Sequence, residues 1–151
     1  MNEIIHQRQP THNSCMSTCF AMLADIPVQS VIDKWHEHIW TVQQGERKCF
    51  DDLGIVAVPV STVVRSLYRG CVYLIAAQSL NHPQSCHQII LDCRWDDGYK
   101  IFDPQFGNAD AKYYVPHHME ISEHLEPNAV KFEGGWHVDY RILDCPVFNR
   151  R

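Results

Sequence analysis

What the chain does not contain narrows its function first. No run of about 18 apolar residues occurs, so no segment is expected to insert in or cross a bilayer as a helix. Basic charge is scarce: 13 Lys and Arg stand against 18 Asp and Glu, a formal net charge of −5. That is not the footprint of a nucleic-acid binder, and no nucleic acid is expected as a partner. Zinc-type ligand spacings are missing, although the chain holds ten His and seven Cys. His36 and His38 stand two apart, so on a helix their rings face different ways. Cys86-His87 and His117-His118 are adjacent pairs. No metal and no cofactor is expected. Internal repeats, low-complexity tracts and linkers are absent as well.

The cysteines bear on compartment. Cys15, Cys19, Cys49, Cys71, Cys86, Cys93 and Cys145 are odd in number and irregular in spacing, unlike a small disulfide framework. Met1 to Cys19 is polar, with no apolar segment of signal length. Reduced thiols in the cytoplasm are the expectation, with export by a route that reads no N-terminal signal as the other option.

What is present is a chain of 151 residues, 45% hydrophobic and 11% aromatic, enough for one domain, residues 1–151, with its own core. The first half reads helical. Asn13 or Ser14 is placed to cap a helix carrying Cys15, Cys19, Met22 and Leu23 on one face. Pro27 suits the start of a second helix, where Val28, Val31, Ile32, Trp35 and Ile39 recur at helical period. A short helix is expected over 48–53, ended by Gly54, and another over 60–68. The second half reads as strands over 71–77, 88–93, 99–102 and 136–143, with Asp96-Asp97-Gly98 as a hairpin signal. Helices first and an antiparallel sheet afterwards is an α+β pattern. Trp35, Trp40, Trp95 and Trp136 are expected in the core and the walls of a groove.

Four residues carry chemistry together: Gln9, Cys15, His87 and Asp103. Amide hydrolysis by a thiol needs a thiolate, a base that later acts as acid, an orienter for that base, and donors for the oxyanion. A thiol in the first turn of a helix has its pKa lowered by the local dipole, and Cys15 is so placed. Gln9, six residues upstream, can return its amide toward the thiol, completing an oxyanion hole with the Cys15 N–H. His87 and Asp103 lie on strands joined by a hairpin, which can bring imidazole and carboxylate side by side. A strict two-residue turn at Asp97-Gly98 would instead pair Asp103 with Asp92, about 17 Å along the strands from His87. The catalytic arrangement therefore requires a shifted turn or a bulge. Gln7 and Asp92 are the rivals to Gln9 and Asp103, and Cys19 is expected in the core. Asp103→Asn is expected to be the mildest of the catalytic substitutions, since the Asn carbonyl oxygen can still accept from the ring.

At these residues the chain resembles the double-glycine leader peptidases, papain-like domains that trim bacteriocin precursors. The resemblance rests on Gln9-Pro-Thr-His-Asn-Ser-Cys15-Met-Ser-Thr-Cys19-Phe-Ala-Met22-Leu, with a Gln six before the nucleophile, a Cys four after it and an Ala-Met pair on the next turn. His87-Gln-Ile-Ile-Leu and Phe102-Asp103-Pro104-Gln-Phe-Gly107 match the family's His strand and Asp-Pro step. The match spans about residues 9 to 107. Ser14-Cys15-Met16 departs from the family's usual Asp-Cys-Gly, and 108–151 matches no motif. The resemblance implies a papain-like fold, with Cys15 as nucleophile, His87 as base, Asp103 as orienter and Gln9 in the oxyanion hole. It implies a cysteine peptidase acting on a peptide or isopeptide bond of a peptide or protein substrate. Two alternatives stand beside it: a deamidase, transglutaminase or acyltransferase using the same thiol on a protein side chain, and a non-catalytic binding module on the same scaffold. Oligomeric state is not legible.

Overall fold

The computed structural model describes residues 1–41, 45–60 and 66–151. Three helices come first: α1 (Cys15–Ala24), α2 (Val28–Thr41) and α3 (Gly45–Leu53). The expected cap on α1 takes another form. Ser14 is the N-cap, but its hydroxyl does not cap the helix; it bonds the N–H and carbonyl of Thr11, closing the turn that enters the helix. Asp25 ends α1 in the left-handed region at φ 57°. Gln7 then staples the next start, its amide donating to the Ile26 carbonyl and its oxygen accepting from the Val28 N–H, both at 2.8 Å. That satisfies one of the free N–H groups at the head of α2. α3 begins earlier than expected, at Gly45, where a Cβ would collide with the His38 carbonyl of α2. Gly54, at φ +73°, ends it as expected. Of the helix expected over 60–68, residues 61–65 lie outside the described residues, and 66–68 are not helical.

The strands are β1 (Val56–Pro59), β2 (Val72–Gln78), β3 (Cys86–Trp95), β4 (Gly98–Phe102), β5 (Tyr113–Val115), β6 (Ala129–Lys131) and β7 (Trp136–Asp144). Five form one antiparallel sheet in the order β1-β7-β2-β3-β4, and β5 pairs with β6 in a separate parallel pair. A short 3₁₀ helix, Pro146–Asn149, closes the chain. The α+β class is as expected. The sequence reading missed β1, β5 and β6, four residues long or fewer, too short to show an alternating pattern.

Alternation along the strands divides the core in two. Leu74, Ile90 and Ile142 face the helices and meet Phe20, Leu23, Val31, Trp35 and Phe50. Tyr73, Ile75, Ile89, Leu91 and Val138 face the other way and meet Tyr114 and Phe132. The C-terminal stretch that matched no motif supplies strands and core. β7 is an interior strand between β1 and β2, and residues around β5 and β6 cover the sheet's second face. Truncating a fully buried member such as Leu74 to Ala should cost about 2–5 kcal/mol. Trp40 corrects the expectation of burial. It is 55% exposed on the outer side of α2, five residues beyond buried Trp35 and so on a different side of the helix. No helix is long and apolar enough to cross a membrane among the described residues.

Candidate active site

Cys15 is the first residue of α1, which packs against β3. His87 is the second residue of β3, and Asp103 follows the last residue of β4. The register explains how the last two meet. Ile90 pairs with Phe102, Leu91 with Ile101 and Asp92 with Lys100; the ladder then slips, so that Trp95 pairs with Gly98 around an Asp96-Asp97 turn. The slip puts one extra residue in β3. Asp103 is therefore level with Ile89, two positions from His87 and about 7 Å along the strand, a gap the two side chains span. His87 Nε2 donates to Asp103 Oδ1 at 2.6 Å.

The acid is held from three sides. Asp103 Oδ1 also accepts from the Gln105 N–H at 2.9 Å, and Oδ2 accepts from the Tyr114 N–H at 2.8 Å. Tyr114 is itself anchored through its hydroxyl to the Gln78 carbonyl at 2.5 Å. The ring of His87 is thus fixed by a carboxylate that cannot swing. With Nε2 committed, Nδ1 is the nitrogen left to interact with the Cys15 thiol.

Charge in this trio is opposed to what burial alone would give. Cys15 is 8% exposed, and burial pushes its thiol pKa up. The hydrogen bond and charge of His87, helped by the N–H groups of Gln88 and Met16, outweigh burial and hold it below the usual thiol value. Burial likewise disfavours the imidazolium of His87. Its bonds to Asp103 and Cys15 win, and push it up to about 9. A lowered thiol beside a raised imidazole is the condition for a thiolate–imidazolium pair near neutral pH. Cys19, one turn further on, is fully buried with its thiol on the Gln88 carbonyl; burial first, then the charges of Cys15 and Asp103, raise it well above the usual value. It belongs to the core, as expected.

Gln9 sits against the acid's loop. Its N–H donates to the Pro104 carbonyl at 2.7 Å, and its carbonyl accepts from Asn108 Nδ2 at 3.0 Å. Asn108 bonds Gln105 Oε1 in the same reach, so one loop, 103–108, holds both the triad acid and Gln9. The Gln9 side chain is buried. Its Nε2 gives one proton to the Thr11 carbonyl at 2.8 Å, which leaves a second, and its Oε1 is the one buried side-chain polar atom without a partner among the described residues. Asn108 is a residue the sequence reading did not single out, because nothing local marks it.

The rivals are occupied elsewhere. Gln7 has both amide ends on the turn between α1 and α2. Asp92, fully buried, takes Arg94 Nε, the Arg94 N–H and Trp95 Nε1. It braces the hairpin and does not face His87. Met16 packs half-buried against the helix-side core. No group of three or more metal-ligating side chains gathers among the described residues. No family model, curated protein or solved structure matches the chain.

Proposed function

We propose that the chain is a papain-like cysteine peptidase, similar to the double-glycine leader peptidases, and a single catalytic domain acting on a peptide or isopeptide bond. One observation carries the reading: His87 is hydrogen-bonded to Asp103 and acts on Cys15, so that the thiol is lowered and the imidazole raised. The Cys15 thiolate attacks the substrate carbonyl carbon, and the carbonyl π electrons move onto oxygen. The second Gln9 amide proton and the Cys15 N–H receive that oxyanion. As the tetrahedral intermediate collapses, the C–N bond breaks and His87 gives its proton to the departing amine. Neutral His87 then takes a proton from water, whose oxygen attacks the thioester; the Cys15 thiolate leaves and the imidazolium is restored. Asp103 keeps the ring in the tautomer and orientation that both halves need. A reducing, cytoplasmic setting suits a thiolate nucleophile and six further unpaired cysteines.

The test is intact-mass analysis with a peptide-like electrophile near neutral pH, followed by mapping of the modified residue. Selective modification of Cys15, lost in His87→Ala, is the expected result. Equal labelling of Cys15 and Cys86, the exposed cysteine, would remove the chemical basis of the reading.

A further inference from the structure

Beside Asp103 lies a cavity of about 560 Å³, lined by neither Cys15 nor His87, that the proposed chemistry does not use. Phe102, Asp103 and Tyr114 are among its buried lining; Tyr99, Phe106 and Tyr113 also line it and are partly open. Phe106 is 48% exposed, and its ring meets that of Tyr113 nearly at right angles, 78° with centroids 4.9 Å apart. Two perpendicular rings make a corner, and ring faces are the negative part of an aromatic side chain. The charge of the lining has the same sense. Asp97 and Glu126 line the cavity and have no cationic partner among the described residues. The one Lys in the lining, Lys100, is engaged: its Nζ binds Glu3 at 2.8 Å and lies 3.7 Å from the centroid of the Trp95 ring. His6 and His118 line it too, with His6 on the Asp103 carbonyl and His118 packed on Tyr99.

We infer that this cavity binds a basic side chain, lysine or arginine, of a peptide or protein partner. Aromatic faces with unpaired carboxylates beside them are the chemistry that holds an organic cation. A peptide is the source we commit to because β4, which supplies much of the lining, is the outer strand of the sheet, pairing only with β3. Its free side can bond the main chain of an extended segment that brings the cation in. The inference does not depend on the thiol chemistry.

Titration of the full chain with Nα-acetyl-lysine methylamide, followed by the amide resonances of residues 97–106 and 113–119, tests it. A saturable shift confined to those residues is expected, together with a much weaker response to the neutral norleucine analogue. Phe106→Ala and Glu126→Gln should each weaken binding by about two- to fivefold, the size of one exposed cation–π or ion contact. Both side chains lie at least partly open, so neither variant should unfold the protein. Equal response to norleucine would make the cavity merely apolar and overturn the inference. So would the absence of a saturable shift, or loss of binding in neither variant. Because the readout is binding, any of these results leaves the Cys15 reading untouched.

Discussion

Two histidine–carboxylate pairs lie in the same sheet, and only one of them belongs to a triad. His87 and Asp103 stand 2.6 Å apart with side chains 8% and 1% exposed. His137 and Asp139 stand 3.0 Å apart with side chains 35% and 31% exposed. The two lie close: Gln88, next to His87, pairs through Ala76 of β2 with His137 of β7, and its amide reaches Asp139 at 3.3 Å. The pairing chemistry is the same and the surroundings differ. Water reaches the half-buried pair and screens it, so it contributes less than the buried one. The buried pair has its carboxylate fixed by two backbone N–H groups and its ring shared with a thiol, which makes each charge costly to remove. A histidine beside an aspartate is therefore not by itself a candidate site; dry burial and a third partner distinguish the one that is.

Several substitutions would break or sharpen that contrast, and they rank by size. His87→Ala and Cys15→Ala should each abolish turnover, with the double variant little worse than either, because residues acting as a unit are not additive. Turnover with a fluorogenic peptide checks this; additive losses would separate the two residues. Gln9→Ala should lose about 100-fold in rate while Cys15 alkylates at its normal speed, since an oxyanion donor acts after the thiolate has formed. A slowed alkylation would mean that Gln9 instead supports the thiolate.

Asp103→Asn is next, and the structure adds a stability cost that residue type alone does not show. An Asn carbonyl could serve the ring, but both oxygens of Asp103 also accept from backbone N–H groups. An amide must turn its NH₂ toward one of those donors, leaving it unsatisfied at a cost of about 1–3 kcal/mol in stability. The catalytic effect shows in pH dependence. The imidazolium is held up to about 9, with the carboxylate among the causes. Activity should hold as pH rises from neutrality and fall through about 9 as His87 loses its proton; without the carboxylate the alkaline limb should move to lower pH. Denaturant melts and pH–rate profiles measure the two effects separately. An unmoved limb in Asp103→Asn would break the link between acid and base.

Asn108→Asp keeps the shape and removes the amide donor to Gln9. The bond to Gln105 is lost with it; a rate loss of about tenfold is expected, as for losing two hydrogen bonds of about 0.5–1 kcal/mol each, with Cys15 alkylation unchanged. Equal slowing of alkylation would assign Asn108 to the acid's loop alone. The smallest effect is expected from His137→Ala in the half-buried pair: a change in stability of no more than about 1 kcal/mol and turnover close to wild type. A loss as large as that of His87→Ala would overturn the contrast between the pairs.

Much of this site is legible in the chain because its parts are local. Cys15 at a helix start, Gln9 six residues earlier and Asp103 at an Asp-Pro step follow from residue type and short spacing. The choice between rivals is not local. Gln7 differs from Gln9 by two positions, and only the packing of the Gln7 side chain on the α1–α2 turn removes it. Asp92 is equally acidic, and its engagement by Arg94 and Trp95 depends on the bulge. A bulge adds one residue without changing the alternation of the strands beside it, so apolar pattern does not reveal it.

The sequence by itself determined the class of the fold, helices packed on an antiparallel sheet, because hydrophobic period is a property of neighbouring residues. It also narrowed the thiol chemistry to a few side chains, with Gln7 and Asp92 as rivals, since ionisable groups and helix starts are written residue by residue. Only the tertiary structure decided that His87 and Asp103 meet, that Asp103 is locked by Gln105 and Tyr114, and that Cys15 is lowered while Cys19 is raised. Those facts depend on register, burial and a partner about 70 residues away along the chain, and each is set by the free energy of the whole packed sheet rather than by any segment of it.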